Sequence, residues 1–146
     1  MNFARVAMAA VAAWVVSIPV GYVVNDIILK DTFTANAAVL RPEAEVMANV
    51  PLGFVFMLGG FFVFAYVYAK GYEGGQGIME GIRYGVLVAL MINCFAFSWW
   101  YITVPINGAM AVSMMIDAIV EYSLYGAIVG AIYKRAGASV ARAAAV

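Results

Sequence analysis

At 146 residues, 66% of them hydrophobic and 11% charged, with a mean hydropathy of +0.97, the chain lies outside the soluble balance of about half apolar and a quarter charged residues. A formal net charge of +0 gives no bulk attraction for nucleic acid or an anionic surface. The absence of histidine removes the commonest metal ligand, the usual haem axial ligand and the default general base at neutral pH. The single cysteine, Cys94, cannot close an intramolecular disulfide, and its apolar surroundings suggest a small packing residue. Neither a cofactor nor a metal is expected.

Four stretches reach the roughly 20 mainly apolar residues that a spanning helix needs: about 6–24, 50–69, 82–101 and 110–133. Strands fail on length and alternation, and in hydrocarbon each span must satisfy its own backbone hydrogen bonds. The expected fold is therefore all-α, a polytopic four-transmembrane-helix bundle forming one domain over 1–146. The first span opens with Asn2 and Arg5; its apolar run is too long for a signal-peptide core, so it reads as a retained helix. Pro19 and Gly21 are expected to bend or loosen its far end.

The connection 25–49 is the only sizeable loop and carries Asp26, Asp31, Glu43 and Glu45. Its Arg41-Pro42-Glu43-Ala44-Glu45 stretch reads as a short helix start, with proline in the first turn and acids complementing the dipole. Residues 43–49 are expected to lie on the outer surface. The span from Gly71 to Gly81 reads as a glycine-rich inner turn, and Pro105 with Asn107-Gly108 as a tight outer turn.

Lysine and arginine positions set the expected orientation. With both termini cytoplasmic, Arg5, Lys70, Arg83, Lys134, Arg135 and Arg142 fall inside, and Lys30 and Arg41 outside. Trp99, Trp100 and Tyr101 then mark the outer interface, and Tyr66, Tyr68 and Tyr133 the inner one.

Asp117 and Glu121 are the main candidate site: two carboxylates one turn apart on one face of the fourth span. Each would cost about 2.5 to 3.5 kcal/mol if left facing lipid at mid-bilayer, so both are expected to face protein, water or a partner. Two acids so close titrate as a coupled unit. They can hold a proton or cation, meet a charged partner helix, or simply fasten the bundle with Asn93, Ser113 or Tyr125 as neighbours.

Small residues give a second pattern. Gly77, Gly81 and Gly85 repeat every four positions into the third helix, continued by Ala89 and Asn93, and Gly126 with Gly130 answer on the fourth. Such faces let helix backbones approach closely in lipid. Pairing Gly81 with Gly130 and Gly85 with Gly126 sets Asn93 beside Ala118 and predicts an Asn93 to Asp117 hydrogen bond. The same glycine faces could instead join identical chains.

Glu80 and Arg83, spaced i,i+3, are expected to pair. Gly75-Gln76-Gly77 resembles a fragment of a phosphate loop but follows no strand and lacks the full spacing. Phe54, Phe56, Phe61, Phe62 and Phe64 spread around the second helix and are expected to meet lipid or a neighbouring subunit.

The segments Arg41-Pro42-Glu43-Ala44-Glu45, Tyr68-Ala69-Lys70-Gly71-Tyr72-Glu73-Gly74-Gly75 and Glu80-Gly81-Ile82-Arg83-Tyr84-Gly85 make the chain resemble small uncharacterised bacterial four-span membrane proteins over nearly its whole length. The resemblance implies a fold and a place in the bacterial cytoplasmic (inner) membrane, with no activity to carry over.

Two functions fit. One is a non-catalytic subunit or assembly factor of a larger membrane complex, partnered by the lipid bilayer and by other membrane subunits or copies of itself. The other is an oligomeric carrier or channel in which Asp117 and Glu121 bind a proton or cation. An intramembrane enzyme would have to draw on Ser113, Ser123, Tyr125 and the two acids, a thin set for a nucleophile and a base.

Overall fold

The computed structural model describes residues 1–133; the expected inner-surface cations Lys134, Arg135 and Arg142 lie outside the described residues. Among the described residues four helical spans are long and apolar enough to cross a bilayer: Phe3–Ile28, Glu43–Gly71, Gly77–Thr103 and Gly108–Ile132. Each matches a predicted span and overruns it at one or both ends, apart from the last residue of the fourth.

Helix α1, Phe3–Tyr22, begins where the Asn2 side chain accepts a hydrogen bond from the Arg5 backbone N–H at 3.1 Å. Downstream of Pro19 the helix widens rather than stops, running on as a π-helical turn, Val23–Ile28. Asn25 Nδ2 donates to the Gly21 carbonyl at 2.8 Å, satisfying a backbone group with a side chain. A short helix α2, Lys30–Ala35, and a 3-10 turn, Ala37–Val39, complete the connection.

Helix α3, Glu43–Gly71, begins at the expected helix start and shortens the loop expected over 25–49: residues 43–49, all exposed, are its first turns. The Pro42 carbonyl accepts from the Glu45 and Val46 N–H groups, and Glu43 and Glu45 sit at the positive end of the helix dipole. The third span is α4, Gly77–Ile92, then a π-helical turn, Asn93–Phe97, and α5, Ser98–Thr103. Helix α6, Gly108–Ile132, starts at Asn107, whose side chain accepts from the Met110 N–H at 2.8 Å.

One end of the bundle, the terminal end, holds the start of α1, the turn between α3 and α4, and Tyr133. The other, the loop end, holds the connection from α1 to α3 and the turn before α6. Helices α4 and α6 form the most intimate pair, while α1 lies between α3 and α6.

The main core is aromatic and sits toward the terminal end. Phe61 meets Tyr125 edge-on at 5.0 Å, Phe64 meets Tyr84 at 4.6 Å, and Tyr68 meets Tyr72, Tyr84 and Tyr133. Phe61 and Phe64 are thus core residues, contrary to the expectation that all five phenylalanines of α3 meet lipid or a neighbour; Phe56 and Phe62 are exposed. Tyr68 and Tyr133 are likewise buried within the chain, and of the three tyrosines expected near the inner interface only Tyr66 is exposed. The hydroxyls explain part of this: Tyr68 donates to the Gly77 carbonyl at 3.1 Å and Tyr84 to the Phe64 carbonyl at 2.8 Å. A buried ring whose hydroxyl finds a carbonyl keeps its apolar gain without a desolvated donor.

A second, smaller core closes the loop end. Ile106, Met110 and Ala111 pack with Phe33, Leu40, Trp100, Val104 and Met114. Buried Asn36 ties it together: its Oδ1 accepts from the Asn107 N–H at 2.9 Å and its Nδ2 donates to the Thr32 carbonyl at 2.8 Å. Cys94, expected to pack, is exposed.

Candidate functional site

The glycines bring α4 and α6 together in a register one turn away from the predicted one. A Cβ on Gly77 would fall on the Gly130 carbonyl oxygen, one on Gly81 on the Gly126 carbonyl oxygen, and one on Gly85 on the Tyr122 carbonyl oxygen; Gly126 and Gly130 meet Gly81 and Gly77 in return. Backbone touches backbone along this seam, so each glycine is required by space alone. All five face the other helix of the pair, which leaves them no surface for a second copy of the chain.

Asn93 consequently reaches another partner. Its Nδ2 donates to the Met115 carbonyl at 3.1 Å, not to Asp117, and its Oδ1 is buried without a hydrogen-bond partner among the described residues. Helix geometry explains why the predicted contact fails. Asp117 and Gly126 are nine residues apart, and at about 3.6 residues per turn they stand on nearly opposite sides of α6. A helix packed on Gly126 cannot also face Asp117, whatever the register.

The acids belong to the other flank. Asp117, Glu121 and Tyr125 follow at i, i+4 and i+8 along α6, and Tyr125 is the residue that meets Phe61 of α3. Asp117 and Glu121 are half-buried. Glu121 lies one turn from both Asp117 and Tyr125 on that flank. Ser113 is also half-buried, while Ser123 donates its hydroxyl to the Ile119 carbonyl at 2.5 Å and is held within its own helix.

The part of α3 at the height of these acids has no signal in the sequence. Helices α3 and α6 both run from the loop end to the terminal end. Counting eight residues back from the Phe61–Tyr125 contact on each places Gly53 level with Asp117 and Met57 level with Glu121, by equal rise per residue. Yet no residue of α3 from 43 to 60 is buried. Only Val50, Phe54 and Leu58 are half-buried; Trp14 Nε1 of α1 donates to the Phe54 carbonyl at 3.1 Å. Added Cβ atoms at Gly53, Gly59 and Gly60 would meet nothing within 4 Å. The acid-bearing flank of α6 therefore stands at the height where α3 buries no side chain. The outlying glycines were visible in the sequence, but composition does not distinguish a glycine in a tight seam from one in open space.

Comparison with protein-family models, with curated proteins and with solved structures gives no match.

Glu80 illustrates a second departure. Instead of pairing with Arg83, its Oε1 accepts from the Glu73 N–H at 2.7 Å and its Oε2 from the Gly75 N–H at 3.1 Å, closing the turn around Gly74, which has φ +87°. Charge-assisted bonds to two backbone donors outweigh an exposed ion pair. Two donors of this glycine turn are thus used by the chain itself. Among the described residues no group of three or more His, Cys, Asp or Glu side chains is placed to hold a metal ion.

Proposed function

We propose that the chain is a non-catalytic subunit or assembly factor of a larger membrane complex in a bacterial cytoplasmic membrane, with both termini on the cytoplasmic side. The observation that carries this reading is the loop-end half of α3. Of its eighteen residues, 43 to 60, none is buried and only Val50, Phe54 and Leu58 are half-buried, and by equal rise per residue they stand level with two half-buried carboxylates on α6. A transmembrane helix of a partner, presenting a basic or hydrogen-bond-donating side chain at that depth, would cover both. It would offset the cost of two acids in the membrane and use Gly53, Gly59 and Gly60 for close approach.

The test is purification from native membranes in mild detergent. A discrete second polypeptide is expected to remain with the wild-type chain and to be lost from Gly53→Leu, a substitution that meets open space within the chain itself. Isolation as a single polypeptide with both forms would contradict the proposal.

The carrier or channel reading draws on one observation, the placement of Asp117 and Glu121 one turn apart and half-buried on a flank that α3 does not bury. Proton or cation flux in liposomes that disappears in Asp117→Asn with Glu121→Gln would favour it.

A further inference from the structure

A groove of about 300 Å³ runs between α1 and α3 at the terminal end, lined by Phe3, Val6, Ala7, Phe62, Val63 and Tyr66. The volume is at the lower end of small-molecule sites, and its walls are almost wholly apolar. One of its lining rings, Tyr66, carries a cation: Lys70 Nζ sits over it at 5.5 Å. Lys70 is one turn beyond Tyr66, toward the terminal end of the bundle, and is exposed. Among the described residues no carboxylate pairs with it.

We propose that this groove binds one anionic phospholipid, an acyl chain lying between α1 and α3 and the headgroup phosphate meeting Lys70. Three features fit this occupant. The groove lies within two helices apolar enough to span a bilayer, so hydrocarbon is the surrounding phase. Its charge is confined to one end, matching a molecule with an apolar body and an anionic tip. The stacked ring limits the positions Lys70 adopts, and a cation over an aromatic face keeps its charge available to a phosphate.

The test is native mass spectrometry of the purified full chain with phosphatidylglycerol or phosphatidylcholine added. One phosphatidylglycerol should be retained over phosphatidylcholine by roughly fivefold, the order of preference one surface cation confers. Lys70→Gln should remove the preference while some lipid remains. Val63→Trp, at a lining position already exposed, should reduce retention of both lipids. Leu87→Trp, on the exposed face of α4, should leave retention unchanged and serves as the control for folding in detergent. Equal retention of the two lipids, an unchanged preference in Lys70→Gln, or equal losses in Val63→Trp and Leu87→Trp would each overturn the proposal. So would a polypeptide that occupies the groove in place of lipid.

Discussion

Gly81 of α4 and Gly126 of α6 face each other with backbone against backbone, each occupying the place where the other's Cβ would lie. Because the obstructing atoms are carbonyl oxygens and carbons, neither helix can yield by changing a rotamer. Gly81→Ala or Gly126→Ala should therefore destabilise the chain by about 2 kcal/mol or more, in line with overpacked interiors. Gly53→Ala, with nothing within 4 Å of the added atom, should be neutral or slightly stabilising, by at most about 1 kcal/mol. Unfolding in detergent, followed by circular dichroism, separates the two cases.

The tyrosine hydroxyls give a smaller effect. Tyr84→Phe removes the bond to the Phe64 carbonyl and Tyr68→Phe the bond to the Gly77 carbonyl, with ring packing retained. Each should cost about 0.6 to 1.7 kcal/mol, the range for hydrogen bonds between membrane helices. The same unfolding measurement reads it.

At the loop end, Asn36 and Asn107 act as one unit. Asn36→Ala leaves the Asn107 N–H without its acceptor, and Asn107→Ala removes the cap of α6; each should cost about 1 kcal/mol. Hydrogen exchange should rise across 30–42 in Asn36→Ala and at the first turn of α6 in Asn107→Ala.

The turn between α3 and α4 depends on Glu80, not on its charge pairing with Arg83. Glu80→Ala should expose the chain at 72–76 to proteolysis, because two backbone donors lose their acceptor. Arg83→Gln should leave cleavage unchanged.

Much of this architecture is legible from residue order. The four spans follow from hydrophobic length, and the pairing of α4 with α6 from glycines repeated every four residues. The register was not fixed by that repeat, since sliding by one turn aligns an equivalent set; the structure selects the alignment that uses Gly77 as well. The opposition of Asp117 to the glycine face was available from their nine-residue separation alone. The continuity of α3 through 43–49 was hidden by Pro42, Pro51 and two acids, which resemble a surface turn but also suit the start of a long helix. The aromatic core escaped because tyrosine near a span's end resembles an interfacial residue until its hydroxyl is seen to meet a carbonyl. The exposed half of α3 has no sequence signal, because residues facing lipid, a partner or the core are similarly apolar in a membrane protein.

The measurement that bears most directly on the partner-helix account is site-specific photocrosslinking in native membranes. The crosslinker is placed at Gly53 on the exposed half of α3 or at Leu87 on the exposed side of α4. The account predicts a discrete adduct with a second polypeptide from Gly53, lost when Asp117→Asn and Glu121→Gln are combined, and none from Leu87. Adducts from Gly53 with lipid alone, or equal adducts from both positions, would contradict it.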